Sequence, residues 1–145
     1  KLMRDQGATA KVVFREVHAT AKALAASGKP ELQAIGQRLA VALKAWTDAS
    51  EWLAANAKTG LSGVLTAAVP YLHLAVTVSG GWFMGKAALV AAGYLEQGEG
   101  DQTFYRAKIA TAHFYADQIL PQAAAYAETV KAGDAALAGF SDDMF

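Results

Sequence analysis

Histidine is the residue type best suited to acid–base chemistry near neutral pH, and here it occurs as His18, His73 and His113. His113 and Asp117 are four residues apart, so a helix would place both side chains on one face, close enough for a hydrogen bond. A general base oriented by a carboxylate needs the same arrangement. Most pairs with this spacing are surface hydrogen bonds, and we interpret His113 and Asp117 in that way.

Metal and cofactor sites would need residue sets that the sequence does not supply. A di-iron site in a helical bundle takes about four carboxylates and two histidines from the facing helices, but no Glu-x-x-His occurs and residues 59–85 contain no carboxylate. The absence of cysteine excludes disulfides, thiolate metal sites and a Cys-x-x-Cys-His haem attachment. No Walker loop, dinucleotide-binding glycine fingerprint or Gly-x-Ser-x-Gly elbow is present. We therefore predict no catalytic, cofactor-binding or metal-binding residue in this chain.

A second group of side chains, which we call the basic stripe, lies near the amino terminus. Its members are three, four or seven residues apart and would share one face of a first helix: Arg4, Lys11, Arg15, His18 and Lys22. Such a face could contact an anionic cofactor tail, an acidic partner domain or a lipid surface. An ordinary solvated helix face would look the same, and both interpretations stay open from the sequence.

The composition limits the class of protein. The chain has 145 residues, of which 54% are hydrophobic and 18% charged, which suits one domain with a single core. Thirteen basic and thirteen acidic side chains give a net charge of zero, whereas a nucleic-acid-binding domain would carry a basic excess. The chain begins at Lys1 without a recognisable signal peptide. We expect a fragment of a longer, cytoplasmic protein that does not bind nucleic acid.

Helices are the elements that must position these side chains, because alanine is abundant and proline occurs only three times. The spacing of apolar residues predicts helices over residues of about 5–26, 30–56, 61–96 and 101–131. Short connections between helices favour antiparallel neighbours. The predicted fold class is therefore all-α: an up-down-up-down four-helix bundle over residues 1–132, followed by a carboxy-terminal tail over residues 133–145.

Individual residues sharpen these predictions. Seven apolar positions of the second helix alternate in spacing by three and four, which predicts a heptad seam on the core: Leu32, Ile35, Leu39, Ala42, Trp46, Ala49 and Leu53. Pro70 is expected to kink or start the third helix, and Pro121 to bend the fourth. Asp101 is expected to cap the fourth helix.

Residues 59–85 carry no Asp, Glu, Lys or Arg, a length that could cross a bilayer, for which about 20 residues suffice. Several glycines, Pro70 and His73 interrupt the stretch, and the proline and histidine would need polar partners in lipid. No basic cluster flanks one side to set an orientation. We therefore expect no membrane span. We expect instead a central helix that is apolar nearly all round and is the most buried of the four.

Two stretches, SGGWFMGKAAL at 79–89 and FYRAKIATAHFYADQILPQAA at 104–124, resemble a known family. They are similar to the extra carboxy-terminal domain of one branch of the acyl-CoA dehydrogenase family, the branch that includes 3-methylmercaptopropionyl-CoA dehydrogenase. The family pattern pairs a Gly-Trp…Gly-Lys helix with a Phe-Tyr…Lys helix that ends in Leu-Pro. Here the matching positions are Gly81, Trp82, Gly85, Lys86, Phe104, Tyr105, Lys108, Leu120 and Pro121.

The resemblance extends over essentially the whole chain and implies a longer parent protein. Members of the family hold FAD and use a glutamate base to remove the α-proton of an acyl-CoA while the flavin takes the β-hydride. The resemblance places those groups in upstream domains, and no residue of this chain matches them. It implies an accessory domain without a cofactor of its own, whose motif residues are packing residues. The implied partners are the upstream dehydrogenase domains, the acyl-CoA substrate of the parent and a further copy in a homo-oligomer.

Two other functions stay open at this point. The chain could be a free-standing helical protein–protein interaction module without enzymatic activity, which would have no dehydrogenase core upstream. It could also be a peripheral membrane anchor that uses the basic stripe and the apolar third helix. If the resemblance holds, the basic stripe becomes a contact for the dehydrogenase core, the dimer partner or the phosphates of coenzyme A.

Overall fold

The computed structural model describes residues 7–57, 61–137, 139, 140 and 144. Within these residues the chain is all-helical and contains no strand, so the all-α prediction is confirmed. The helices are α1 (Ala8–Ala25), α2 (Pro30–Asn56), α3 (Leu61–Thr66), α4 (Ala68–Gln97), α5 (Gln102–Gln118) and α6 (Gln122–Ala132), with a short 3-10 helix at Ala135–Leu137.

The helix α2 packs on α1, α4, α5 and α6. All seven positions of its predicted heptad seam are buried. The pattern was readable because the charged residues of α2 all lie outside this seam, although one polar residue, Ser50, is buried as well.

Contacts at opposite ends of each helix pair show how the helices run. The rings of Phe14 and Trp46 lie 4.9 Å apart, so the amino-terminal half of α1 is beside the carboxy-terminal half of α2. The amine of Lys29, just before α2, is 2.8 Å from Glu96 at the end of α4. The pairs α1–α2 and α2–α4 are therefore antiparallel.

The last two long helices run antiparallel to α4. Tyr94 stacks on Tyr105 with 4.9 Å between ring centroids, and His73 lies 5.4 Å from the ring of Tyr126. As predicted, the Asp101 side chain caps α5, since its Oδ1 accepts hydrogen bonds from two backbone N–H groups at 2.9 and 3.0 Å. The carboxylate thereby satisfies donors that a helix start leaves unpaired.

The two predicted long helices that have a proline in their interior are both divided. The predicted third helix is two helices, α3 and α4, separated at Ala67, and Pro70 lies in the first turn of α4, where its missing N–H costs little. The predicted bend at Pro121 is a break. The carbonyl of Tyr115 accepts from both Ile119 and Leu120 at 3.0 Å, which ends α5, and α6 begins after the proline.

The prediction that the third helix would be the most buried is wrong. One face of α4 lies on the core through small and branched residues such as Leu74, Val78 and Ala88. The opposite face carries large apolar side chains that are exposed to solvent in this chain. A helix that is apolar on all sides can be buried on all sides. The composition does not show that the rest of the same domain covers every side.

Candidate functional site

The glycine pair at the centre of α4 allows the end of α5 to approach closely. A β-carbon on Gly81 would lie 2.6 Å from Cδ2 of Leu120, and one on Gly80 would overlap the hydroxyl group of Tyr115. That hydroxyl donates a hydrogen bond to the backbone carbonyl of Thr77 at 3.1 Å. The two sequence motifs therefore meet in space, with the glycines of one receiving side chains from the other.

Trp82, Gly85 and Lys86 lie on the side of α4 that faces α1. The indole Nε1 of Trp82 donates to the Thr20 hydroxyl at 2.9 Å. The Lys86 amine lies 5.0 Å from the centroid of the Trp82 ring, within range of a cation–π interaction. A β-carbon on Gly85 would lie 2.9 Å from Cδ1 of Leu24 in α1. These motif positions hold α1 against α4.

The motif residues of α5 are divided between packing and exposure. Tyr105 is half-buried and its ring is nearly parallel to that of Tyr94, with an angle of 9° between the planes. Phe104 and Lys108 are exposed, and the Lys108 amine lies 5.0 Å from the Phe104 ring centroid. Pro121 is also exposed, at the junction of α5 and α6.

The basic stripe is an exposed face of α1. The side chains of Lys11, Arg15, His18 and Lys22 are all exposed, and within the described residues none of the four forms an ion pair. Arg4, the fifth predicted member, lies outside the described residues. Lys11 lines a small cavity together with Thr47 and Glu51, so the stripe lies on the α2 side of α1. The side chains of these four residues are available to an anionic partner.

His113 and Asp117 lie close together on the surface, but not at the hydrogen-bond distance that the sequence predicts. The distance from Nδ1 of His113 to Oδ2 of Asp117 is 3.6 Å, and Arg38 of α2 donates to the other carboxylate oxygen at 3.2 Å. The pair borders an open groove of about 720 Å³ whose lining includes Glu31, Arg106 and Phe114 but no serine, threonine or cysteine. The carboxylate thus links α2 to α5, and the described lining of the groove offers no hydroxyl or thiol side chain for the histidine to activate.

Comparison with known proteins identifies the family of this chain. Residues 13–141 match the family model described as acetyl-CoA dehydrogenase C-terminal like. The chain belongs to this family of acyl-CoA dehydrogenase C-terminal domains. It is 36% identical over 138 residues to 3-methylmercaptopropionyl-CoA dehydrogenase of Ruegeria pomeroyi (strain ATCC 700808 / DSM 15171 / DSS-3), a match that covers 94% of this chain and 23% of that protein. The resemblance drawn from the two motifs is confirmed.

The C-terminal domain carries one surface that sequence reasoning missed. Its α4 presents a row of large apolar side chains, each between 59% and 64% exposed, which we call the outer seam: Val69, Leu72, Val76, Phe83 and Val90. The signal was present in the sequence, since these positions are three, four or seven residues apart, but the residues that face the core have the same spacing. A helix that is apolar all round contains two such seams, and spacing alone does not say which one the domain buries.

By length and composition, α4 of this domain could cross a membrane, yet 33% of its most apolar window is buried by the protein itself. Its core face packs on α1, α2, α5 and α6. A membrane-spanning orientation would therefore require α4 to leave contacts that it makes with four other helices.

Tyr115 makes the stability of this domain sensitive to alkaline pH. Burial raises the pKa of its hydroxyl group, because the phenolate is poorly solvated between α4 and α5. The buried, neutral hydroxyl group of Tyr115 therefore contributes fully to stability below the pKa of an unfolded tyrosine, about 10. This contribution is lost as the pH rises through the higher pKa of the folded state. We expect Tyr115→Phe to make the fall in stability above about pH 10 shallower. Urea unfolding at a series of alkaline pH values measures this slope, and equal slopes for both proteins would contradict it.

Proposed function

We propose that this chain is a non-catalytic accessory domain of an FAD-dependent acyl-CoA dehydrogenase, in which it contributes to structure and assembly. The observation that carries the proposal is the 36% identity to 3-methylmercaptopropionyl-CoA dehydrogenase over 94% of this chain. Because the chain spans only 23% of that relative, dehydrogenation itself is assigned to the remainder of the longer protein.

The described residues do not fit an FAD site. The groove beside His113 contains the cation Arg106, but the carboxylates Glu31 and Asp117 line the same groove and would repel a pyrophosphate. The basic stripe offers cations, but it is an exposed helix face with no Phe, Tyr or Trp among its members. We therefore assign the flavin and the acyl-CoA thioester to the upstream domains and derive no chemical step within this chain.

We also propose that α5 and α6 act together as one broken fourth helix, so that the domain is an up-down-up-down four-helix bundle. The direction of the contacts supports this arrangement. Thr20 meets Trp82 while Leu24 lies beside Gly85, so α1 runs parallel to α4. Arg38 pairs with Asp117, and a β-carbon on Gly133 would lie 2.9 Å from the Trp52 ring, so α2 runs parallel to α5 and α6.

The test of the proposed function uses the intact reading frame that contains this chain. The purified protein is expected to show a flavin absorbance band that bleaches on addition of an acyl-CoA, and a panel that includes 3-methylmercaptopropionyl-CoA would define the substrate class. A colourless protein would overturn the proposal. It would favour the alternative, a free-standing helical interaction module, for which the exposed outer seam is the supporting observation.

The basic stripe gives a prediction within the same enzyme. Reversing two of its charges with Lys11→Glu and Arg15→Glu is expected to raise the KM for acyl-CoA, or to weaken assembly, by about tenfold at low salt, with a smaller effect at high ionic strength. The matched control is Arg106→Glu with Lys108→Glu on α5, which changes the net charge equally. If both double variants behave alike, the stripe is only a solvated face.

A further inference from the structure

The outer seam of α4 is the largest feature of the chain that the accessory role leaves unexplained. From Val69 to Val90 it extends about 30 Å along the helix, at about 1.5 Å per residue. Its five large apolar side chains lie on the side of α4 opposite the core residues Leu74, Val78 and Ala88. A row of exposed apolar side chains of this length is typical of an interaction site, whereas single exposed apolar residues need no explanation.

The spacing of the outer seam indicates what kind of surface covers it. Val69, Leu72 and Val76 are three and four residues apart, and Phe83 and Val90 continue the pattern at steps of seven. Apolar residues repeated in this way interlock with a second helix at a shallow crossing angle. A partner helix is therefore the covering element that the pattern favours.

Lys86 is the one formally charged residue along this row, and it already has a partner inside the domain. Its amine lies 5.0 Å from the Trp82 ring centroid, on the flank of α4 that faces α1. Long cationic side chains can cover apolar surface while the charge stays at the edge. A helix seated on Phe83 and Val90 would therefore leave this ammonium group at its rim.

The apolar surface continues from α4 onto α5. Tyr94 lies one helical turn beyond Val90 and stacks on Tyr105, whose ring in turn lies 5.7 Å from that of the exposed Phe104. Aromatic residues at the end of an apolar row are typical of protein interfaces. The surface is thus broader than α4 alone.

The position of the basic stripe argues against an anionic membrane as the covering surface. Binding to such a membrane would bring apolar and basic side chains to one plane. Here α1 turns Thr20 and Leu24 toward α4, whereas Lys11 borders α2 residues Thr47 and Glu51. The cations therefore lie on the flank of α1 away from the outer seam.

The length of the relative indicates where the covering helix is found. About three quarters of 3-methylmercaptopropionyl-CoA dehydrogenase lies outside its match to this chain, which covers 23% of it. We propose that the outer seam packs against a helix in the remainder of the same polypeptide. This inference rests on the proposed function, under which that remainder is the dehydrogenase portion of the enzyme.

Thiol labelling in the intact protein tests the proposal, since this chain has no cysteine of its own. Val76→Cys and Leu72→Cys place probes on the outer seam, and Val41→Cys is the matched control on α2, where Val41 is 69% exposed. Alkylation of each position is followed by peptide mass spectrometry, and each rate is divided by the rate for the same variant unfolded in urea. We expect both seam positions to react at least about tenfold more slowly than the control.

The outcomes separate the seam proposal from the proposed function. Equal rates at all positions in a flavin-containing protein would overturn the seam proposal alone. Slow labelling in a colourless protein would overturn the proposed flavoenzyme function but would support the contact between the outer seam and the remainder of the polypeptide. Protection that increases with protein concentration would assign the seam to a second copy. Protection that appears only with anionic phosphatidylserine vesicles would assign it to lipid, and either result would overturn the proposal.

Discussion

Shortening Leu24 to alanine is expected to lower the free energy of unfolding of the 145-residue chain by about 2–5 kcal/mol. Leu24 is completely buried and lies between two helices, beside Gly36 of α2 and Gly85 of α4. Because its two neighbours are glycines, few side-chain atoms could move into the space left by the lost methyl groups. The cavity would persist, which puts the expected loss toward the upper part of the range.

Urea unfolding followed by tryptophan fluorescence measures this loss, because Trp46 is buried in the core and Trp82 packs against the core. The control is Val12→Ala on the same helix, where the side chain is exposed and a change of less than about 0.5 kcal/mol is expected. If Leu24→Ala and Val12→Ala cost the same, α1 does not pack on the core in the way described here.

Some helices could be predicted from the sequence because their polar residues mark one side. In α2 the seven predicted seam positions form one stripe, and all seven are buried. In α4 the apolar residues surround the helix, and the prediction that it would be the most buried of the four was wrong. Both sides of α4 carry apolar residues at the same spacing, so no local pattern within α4 says which side the domain buries.

The break at Pro121 shows a second limit of sequence reasoning. The loss of one backbone hydrogen bond predicts a bend, and many helices continue through a bend. Here Leu120 turns inward to fill the space beside Gly81, and the carbonyl of Tyr115 receives two N–H donors instead of one. This tertiary contact favours ending the helix over bending it, and a contact between residues 39 positions apart is not visible in local propensities.

The candidate surfaces also show which features the sequence could predict and which depend on tertiary contacts. The spacing of Lys11, Arg15, His18 and Lys22 was sufficient to predict a shared face, and the structure leaves that face exposed. The motif glycines indicated close approach but did not identify Tyr115 and Leu120 as the side chains that approach. Motif residues such as Phe104 and Lys108 are exposed in this chain, so packing on other parts of the same domain does not account for them.

Replacing Gly36 with alanine is expected to destabilise the chain by about 1–3 kcal/mol, the usual cost of adding a methyl group to a filled core. The new β-carbon would lie 2.8 Å from the carbonyl oxygen of Ala21 and 2.9 Å from the backbone nitrogen of Ala25. Both atoms are backbone atoms of α1, so the clash is relieved only by moving that helix away from α2. Alanine favours helix over glycine by about 1 kcal/mol, which offsets part of the cost.

The matched control is Gly93→Ala in α4, where a β-carbon would meet no atom within 4 Å. There the helix-forming advantage of alanine acts alone, and a gain of about 0.4–1 kcal/mol is expected. Urea unfolding of the two variants under the same conditions should therefore give changes of opposite sign. A gain at both positions would show that α1 moves aside at little cost. The close approach of α1 and α2 at Gly36 would then not be required for packing.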